Sequence, residues 1–96
     1  METRNVLFLD RDGVINVDVG YLSNPAQLQF IPGAIEAMKE AQTRGYDIIV
    51  VTNQSGVARG YYTEEDVQAL HAEMSRRLEA EGVKVLAYYY CPHHPE

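Results

Sequence analysis

The chain is poor in cysteine, in basic residues and in long apolar runs. Cys91 is the single cysteine among 96 residues, which excludes an internal disulfide and is typical of a reducing compartment. Eight lysines and arginines stand against fourteen aspartates and glutamates, which gives a net charge of −6. This acidic balance argues against nucleic acid or an anionic membrane as a partner.

Long apolar segments of the kind that target or anchor a protein are also missing. Residues 1–5 precede an apolar run of only four residues, Val6–Leu9, which is too short for a signal peptide core or a membrane span. We therefore expect a cytoplasmic protein. The length predicts one small domain over residues 1–96, and the 46% apolar content is that of an ordinary globular protein.

The apolar run leads directly into two carboxylates, Asp10 and Asp12, which are followed by Gly13. A short apolar run that ends in a turn is typical of a buried strand in a parallel sheet. Chemistry in such sheets gathers beyond the carboxyl ends of the strands. Side chains two residues apart on an extended chain point to the same side, so both carboxylates could face one reacting centre. The alternative is an acidic surface turn.

Two helices and two further strands follow in alternation. An apolar stripe at helical spacing predicts a helix over residues 32–45, and Thr63 is the expected N-cap of a second helix that ends near Gly82. Apolar, β-branched runs predict strands at Tyr46–Thr52 and Val85–Tyr90. The order β-α-β-α-β predicts an α/β fold, a Rossmann-like parallel sheet with flanking helices.

A polar turn follows the second strand. Because parallel strands end at one edge of a sheet, we expect Thr52 to lie beside Asp10. The next residues, Asn53-Gln54-Ser55-Gly56, offer backbone N–H groups, amides and a hydroxyl, which together make a good cradle for an anion. The alternative is an ordinary polar loop.

Two other segments allow two interpretations each, and a third set of residues allows one. Residues 14–30 show no clear element, and so long a loop is often functional, with Asp18 to Tyr21 able to line a site, or it is a plain connection. Cys91 and His93 supply two of the four ligands that zinc takes, or they are a buried thiol near exposed histidines. His71 and the pair Arg76-Arg77 are predicted to be solvated helix surface.

The motifs together resemble a known family. Asp10-x-Asp12-Gly13 at one strand end and Thr52 at the next resemble the haloacid dehalogenase superfamily of phosphotransferases. Residues 8–16, 20–21, 51–60 and 90–95 are similar, in order and spacing, to one group within it. That group is the D-glycero-D-manno-heptose 1,7-bisphosphate phosphatases, with the histidinol-phosphate phosphatases as near relatives. The resemblance implies the β-α-β-α-β portion of that core with no separate cap domain. It also implies a Mg²⁺-dependent phosphatase that hydrolyses the 7-phosphate of a phosphorylated sugar through an aspartyl-phosphate.

The same resemblance implies a role for each matching residue. Asp10 would be the nucleophile, Asp12 the general acid and base, and Thr52 the residue that steadies the phosphoryl group. The Asp10 side chain and the Asp12 carbonyl would hold Mg²⁺. Cys91 and His93 would be the first half of a structural zinc site. The implied substrate-binding residues lie in the loop and in the cradle: Asp18, Val19, Gly20, Tyr21, Thr52, Asn53, Gln54 and Ser55.

The family continues for roughly as much chain again beyond the position of Glu96. That part would carry a basic residue for the phosphoryl group, an acid for magnesium and two cysteines for zinc. We therefore expect an N-terminal half whose isolated activity is weak at most, and a monomer when full length. Histidinol phosphate is the alternative substrate. A non-catalytic fragment that binds phosphate or metal is the alternative from another class.

Overall fold

The structure, a computed structural model, describes residues 5–20, 22–54 and 56–91. Its regular elements follow the predicted order β-α-β-α-β, with a short 3-10 helix in the first long loop. The strands are β1 (Asn5–Leu9), β2 (Tyr46–Asn53) and β3 (Val85–Cys91), the α-helices are α1 (Ala34–Thr43) and α2 (Glu64–Ala80), and the 3-10 helix is Pro25–Gln27.

The three strands form one parallel sheet in the order β1-β2-β3. Leu9 pairs with Val50, and Thr52 pairs with Tyr90, so that the carboxyl ends of all three strands share one edge. The register shifts once between β2 and β3, beside Ile48. The predicted α/β fold with a parallel sheet is confirmed.

Both helices pack on the same face of this sheet. Each β-α-β crossover is right-handed as a rule, so two crossovers that step in one direction place their helices on one side. The core cluster on that side joins the centre of β2 to both helices: Ile48, Val50, Met38, Leu70, Met74 and Leu78. The core therefore lies between the sheet and a single layer of helices.

The opposite face, called here the outer face, consists of Val6, Phe8, Ile49, Val51 and Tyr89. Ile49 is largely buried, whereas the other four are exposed, with exposed fractions from 41% for Val6 to 62% for Phe8. The prediction that the first strand is buried is therefore wrong for these side chains. Its apolar run fits a strand covered on both sides, whereas the helices of the described residues cover one side.

The loop after β1 is more ordered than its sequence indicates. Val17 N donates to Gln29 O at 2.8 Å and Ile31 N donates to Ile15 O at 2.9 Å, which closes the loop at its base. Three of its side chains enter the core: Ile15, Leu22 and Leu28. The loop therefore packs against the domain instead of hanging from it.

Helix α2 begins with a capping box, in which Thr63 Oγ1 accepts from Asp66 N and the Asp66 carboxylate accepts from Thr63 N. The two arginines of α2 that the sequence predicts to be solvated differ in their contacts. Arg76 is exposed, but Arg77 donates to the carbonyls of Leu28 and Pro25. Within the described ranges neither α-helix combines the length and the apolar character of a membrane span.

The two faces of β2 provide a matched pair of substitutions. Val50→Ala removes two methyl groups from the core side, where the residue is fully buried, and should lower the free energy of unfolding by about 2 kcal/mol. Val51→Ala makes the same change on the outer face and should cost less than about 1 kcal/mol. Urea unfolding of both variants measures the difference. Equal losses would contradict a sheet covered on one face only.

Candidate active site

Two predicted site residues stand at neighbouring strand ends. Asp10 directly follows β1 and is exposed, and its Oδ1 accepts a hydrogen bond from Arg11 N at 2.8 Å. Thr52 lies near the end of β2, one step past the register position that faces Asp10, and is 3% exposed. The parallel pairing thus brings both residues to the same edge of the sheet.

Asp12 is held from three directions. Arg11 Nη2 donates to its carboxylate at 2.9 Å, Asn16 Nδ2 donates at 3.0 Å, and Gln54 Nε2 lies 3.4 Å from Oδ2. The turn that carries it is tight, since Arg11 O accepts from the N–H groups of Ile15 and Asn16. Such a carboxylate has a fixed orientation because its partners come from separate parts of the chain.

Gln54 links the two strand ends. It is 2% exposed, and its Nε2 donates to Thr52 Oγ1 at 2.9 Å as well as facing Asp12. Tyr62 donates its hydroxyl to Gln54 Oε1 at 2.5 Å. Both ends of the amide are therefore engaged within the protein. The sequence predicts a substrate contact for Gln54, whereas in the structure its side chain is a buried bridge between Thr52 and Asp12.

The sequence reasoning missed the buried cation between the two aspartates. Arg11 is 0% exposed, and its Nη1 lies 3.0 Å from His71 Nε2 on α2. Alternation along an extended chain offers a signal, because it predicts that the Arg11 side chain leaves the strand on the side opposite Asp10, toward the interior.

The prediction of a solvated His71 is wrong. The residue is 5% exposed, because it continues the apolar stripe of Val67, Leu70 and Met74 at helical spacing. The pKa of His71 falls from 6.5 to about 4, chiefly because the ring is buried; the charge of Arg11 adds to the fall and that of Asp12 opposes it. At neutral pH the imidazole is therefore uncharged.

The loop residues of the predicted site lie at the surface. Asp18, Val19 and Gly20 are exposed, and Asp18 Oδ1 accepts from Gly20 N at 3.0 Å. Gly20 has φ +85°, a left-handed conformation that glycine adopts without strain. Asn53 is exposed at the end of β2. Tyr21 and Ser55, which are also predicted to contact the substrate, lie outside the described residues.

The predicted metal ligands are only partly described. Cys91 ends β3 as an exposed free thiol, so the alternative of a buried thiol is wrong. His93 lies outside the described residues. Among the residues that the structure describes, no three histidine, cysteine, aspartate or glutamate side chains are grouped for a metal ion.

Comparison with known proteins supplies a context for this geometry. No protein-family model matches the chain. It is 50% identical over 90 residues, 94% of its length, to the D-glycero-beta-D-manno-heptose-1,7-bisphosphate 7-phosphatase of Photorhabdus laumondii. The crystal structure of a D,D-heptose 1,7-bisphosphate phosphatase from B. bronchiseptica, complexed with magnesium and phosphate, superimposes with a TM-score of 0.88 at 34% identity. The match covers 96% of this chain and 52% of that one.

The chain is a homologue of the heptose bisphosphate phosphatases. A second solved structure, a HAD-like phosphatase from Mesorhizobium loti, has a TM-score of 0.87 at 41% identity and covers 95% of this chain and 43% of its own. The resemblance to the haloacid dehalogenase superfamily is thereby confirmed. The chain spans about half the length of the curated heptose bisphosphate phosphatases that it matches.

His71 predicts a defined pH dependence of stability. Its pKa is about 4 in the folded chain and 6.5 as the ordinary value, so the unfolded chain binds more protons between these pH values. Stability conferred by the neutral imidazole should therefore be complete above pH 6.5 and decline as pH falls toward 4. His71→Gln, which cannot titrate, should remove this part of the decline. Urea unfolding at several pH values measures it.

Glu73 supplies an internal reference for that experiment. Hydrogen bonds from Arg76 and Arg77 lower the pKa of Glu73 from 4.5 to about 2, so its contribution is lost only in a more acidic window. The stability curves of wild type and His71→Gln should accordingly differ in slope between pH 6.5 and about 4, and run parallel above and below that window. Parallel curves over the whole range would contradict a buried neutral imidazole.

Proposed function

We propose that the chain carries the nucleophilic half of a Mg²⁺-dependent phosphatase that hydrolyses the 7-phosphate of D-glycero-D-manno-heptose 1,7-bisphosphate. One observation carries the proposal: Asp10 directly follows β1, Thr52 lies near the end of the paired parallel strand β2, and Gln54 links Thr52 to Asp12. The identity of 46–50% to curated phosphatases of this name supports the substrate.

Asp10 is the proposed nucleophile. Its side chain is exposed, and the hydrogen bond from Arg11 N orients one carboxylate oxygen. A carboxylate oxygen attacks phosphorus, the bond to the sugar oxygen breaks, and an aspartyl-phosphate forms. Water then attacks this phosphorus, which releases inorganic phosphate and restores the carboxylate.

Asp12 is the proposed general acid and base. It gives a proton to the departing sugar oxygen and later takes one from the attacking water. Its contacts with Asn16, Gln54 and Arg11 keep the carboxylate in one orientation through both steps. Proton transfer requires such positioning, because the groups must lie within hydrogen-bond reach of the reacting oxygen.

Thr52 is the proposed phosphoryl contact. Its Oγ1 accepts from Gln54 Nε2, which leaves the hydroxyl proton to be donated to a phosphoryl oxygen. The exposed Asn53 at the end of β2, together with Ser55 and the loop residues 18–21, completes the proposed substrate contacts. Gln54 contributes indirectly by holding Thr52 and Asp12 together.

The donors available at Asp10 and Asp12 are oxygens, which fit Mg²⁺. We propose that the Asp10 carboxylate and the Asp12 carbonyl hold this ion, and that it neutralises phosphate charge when bound. The magnesium and phosphate in the homologous crystal structure support this assignment. Structural zinc stays a proposal from Cys91 and His93, which need two further ligands.

We propose a cytoplasmic enzyme that acts as a monomer when full length and takes a phosphorylated sugar as its partner. The net charge of −6 supports the exclusion of nucleic acid and of anionic membrane.

Asp10→Asn tests the nucleophile. With Mg²⁺ and the heptose bisphosphate, phosphate release by the chain should fall at least about a hundredfold, because an amide cannot form the aspartyl-phosphate. Asp47→Asn is the matched control: it makes the same change near the start of β2, at the opposite edge of the sheet, and should leave the rate unchanged.

Equal activity of Asp10→Asn and wild type would overturn the nucleophile assignment. Calorimetry with Mg²⁺ and phosphate tests the alternative that the chain is a non-catalytic fragment that binds phosphate or metal. Binding by the wild-type chain with no turnover would identify a non-catalytic binding module, and the enzymatic proposal would then fail for this chain.

The substrate is tested by comparing two phosphate esters. Heptose bisphosphate should be hydrolysed with a kcat/KM at least about tenfold above that of histidinol phosphate, a difference of about 1.4 kcal/mol in transition-state stabilisation. The reverse order would favour the histidinol-phosphate phosphatases. Colorimetric phosphate release serves for both substrates.

A further inference from the structure

The guanidinium of Arg11 is enclosed by two partners of different kinds. On one side, Nε and Nη2 donate to the Asp12 carboxylate at 3.2 and 2.9 Å. On the other side, Nη1 lies 3.0 Å from His71 Nε2, a contact that joins residues 60 positions apart. The whole side chain is 1% exposed, so water offers these N–H groups little alternative.

The direction of the contact with His71 follows from the chemistry of arginine. A guanidinium has only donors and keeps its charge in proteins. His71 Nε2 must therefore accept, and the ring proton must sit on Nδ1. The low pKa of His71 agrees with a neutral ring at this place.

The imidazole is fixed in turn by aromatic rings of β3. It stacks on Tyr88 with ring centroids 4.5 Å apart and planes 14° from parallel, and it meets Tyr90 edge-on at 6.0 Å. The Tyr88 hydroxyl lies 2.9 Å from Ser75 Oγ on α2. Helix α2 and strand β3 therefore set the position of the acceptor that Arg11 meets.

We propose that His71 is a positioning residue of this site: it accepts a hydrogen bond from Arg11 and so holds the guanidinium in the place where it orients Asp12. Its catalytic consequence rests on the proposed function of Asp12 as acid and base. His71 itself touches neither substrate nor the reacting atoms. The sequence around Asp10 does not indicate that a residue on α2 has this role.

The physical reason lies in the burial of Arg11. Without an acceptor at residue 71, the Nη1 protons would be buried without a partner, which is costly for a charged group. The guanidinium would shift toward another acceptor and turn the Asp12 carboxylate with it. A displacement of about 1 Å in a catalytic group can lower a rate by about a hundredfold.

A pair of variants separates the acceptor from the shape of the side chain. Gln at position 71 keeps an acceptor near the place of Nε2, whereas Met has similar length and no comparable acceptor. Both are good helix formers, so α2 should tolerate either. The comparison of His71→Gln with His71→Met therefore isolates the hydrogen bond.

NMR of the labelled chain tests the contact without any need for activity. Wild type should show the ring proton on Nδ1 at pH 7. His71→Met should shift the side-chain nitrogens of Arg11 and the carboxyl carbon of Asp12, and His71→Gln should shift them much less. A ring proton on Nε2 of the wild type would overturn the proposal even if His71→Met failed to fold. Equal shifts in two folded variants would overturn it as well.

Kinetics tests the consequence at the proposed site. With Mg²⁺ and heptose bisphosphate, His71→Met should lower kcat about ten- to a hundredfold with KM changed less than about threefold, and His71→Gln should restore most of kcat. An active wild type with unchanged kcat in His71→Met would overturn the positioning role alone. A wild-type chain without hydrolysis would overturn the proposed function, and the NMR result would still decide the role of His71.

Discussion

The ion pair between Arg11 and Asp12 is the interaction on which the polar end of the structure depends. Its guanidinium is inaccessible to solvent while the carboxylate is partly exposed. A buried charge is tolerated only when its donors find partners, and Arg11 finds them in Asp12 and His71. The pair therefore ties the turn after β1 to helix α2.

The same end of the sheet contains a second link, which runs through a neutral amide. Gln54 joins Thr52 to Asp12, and Tyr62 completes the set of partners. Polar side chains thus interact with one another at the carboxyl ends of β1 and β2, whereas Val50, two residues before Thr52 in β2, belongs to the apolar core. These polar contacts give the proposed phosphate site its rigidity, because the side chains restrain one another.

Much of this fold could be predicted from local patterns. Short apolar, β-branched runs predict the strands, apolar spacing of 3.6 residues predicts the helices, and Thr63 marks the start of α2 correctly. Parallel pairing of β1 with β2 then brought Asp10 and Thr52 to one edge. These features depend on neighbouring residues and on the handedness of the crossovers, which sequence reasoning can reach.

Other features depend on contacts between distant residues. The contact of the buried His71 with Arg11 joins residues 60 positions apart, and the order of the first loop follows from the bond between Ile31 N and Ile15 O. A polar side chain such as His71 within an apolar stripe resembles a surface residue when its partner lies on another element. The exposure of Phe8 likewise depends on which face receives the helices, which the apolar run of β1 does not encode.

The central claim is that the ends of β1 and β2 form one phosphate site. Amide NMR signals, followed while Mg²⁺ and inorganic phosphate are added to the chain, test it most directly. The account predicts that the largest shifts fall together on residues 10–16 and 52–54. Shifts confined to the opposite edge, around Asp47 and Lys84, or shifts at only one of the two strand ends would contradict it.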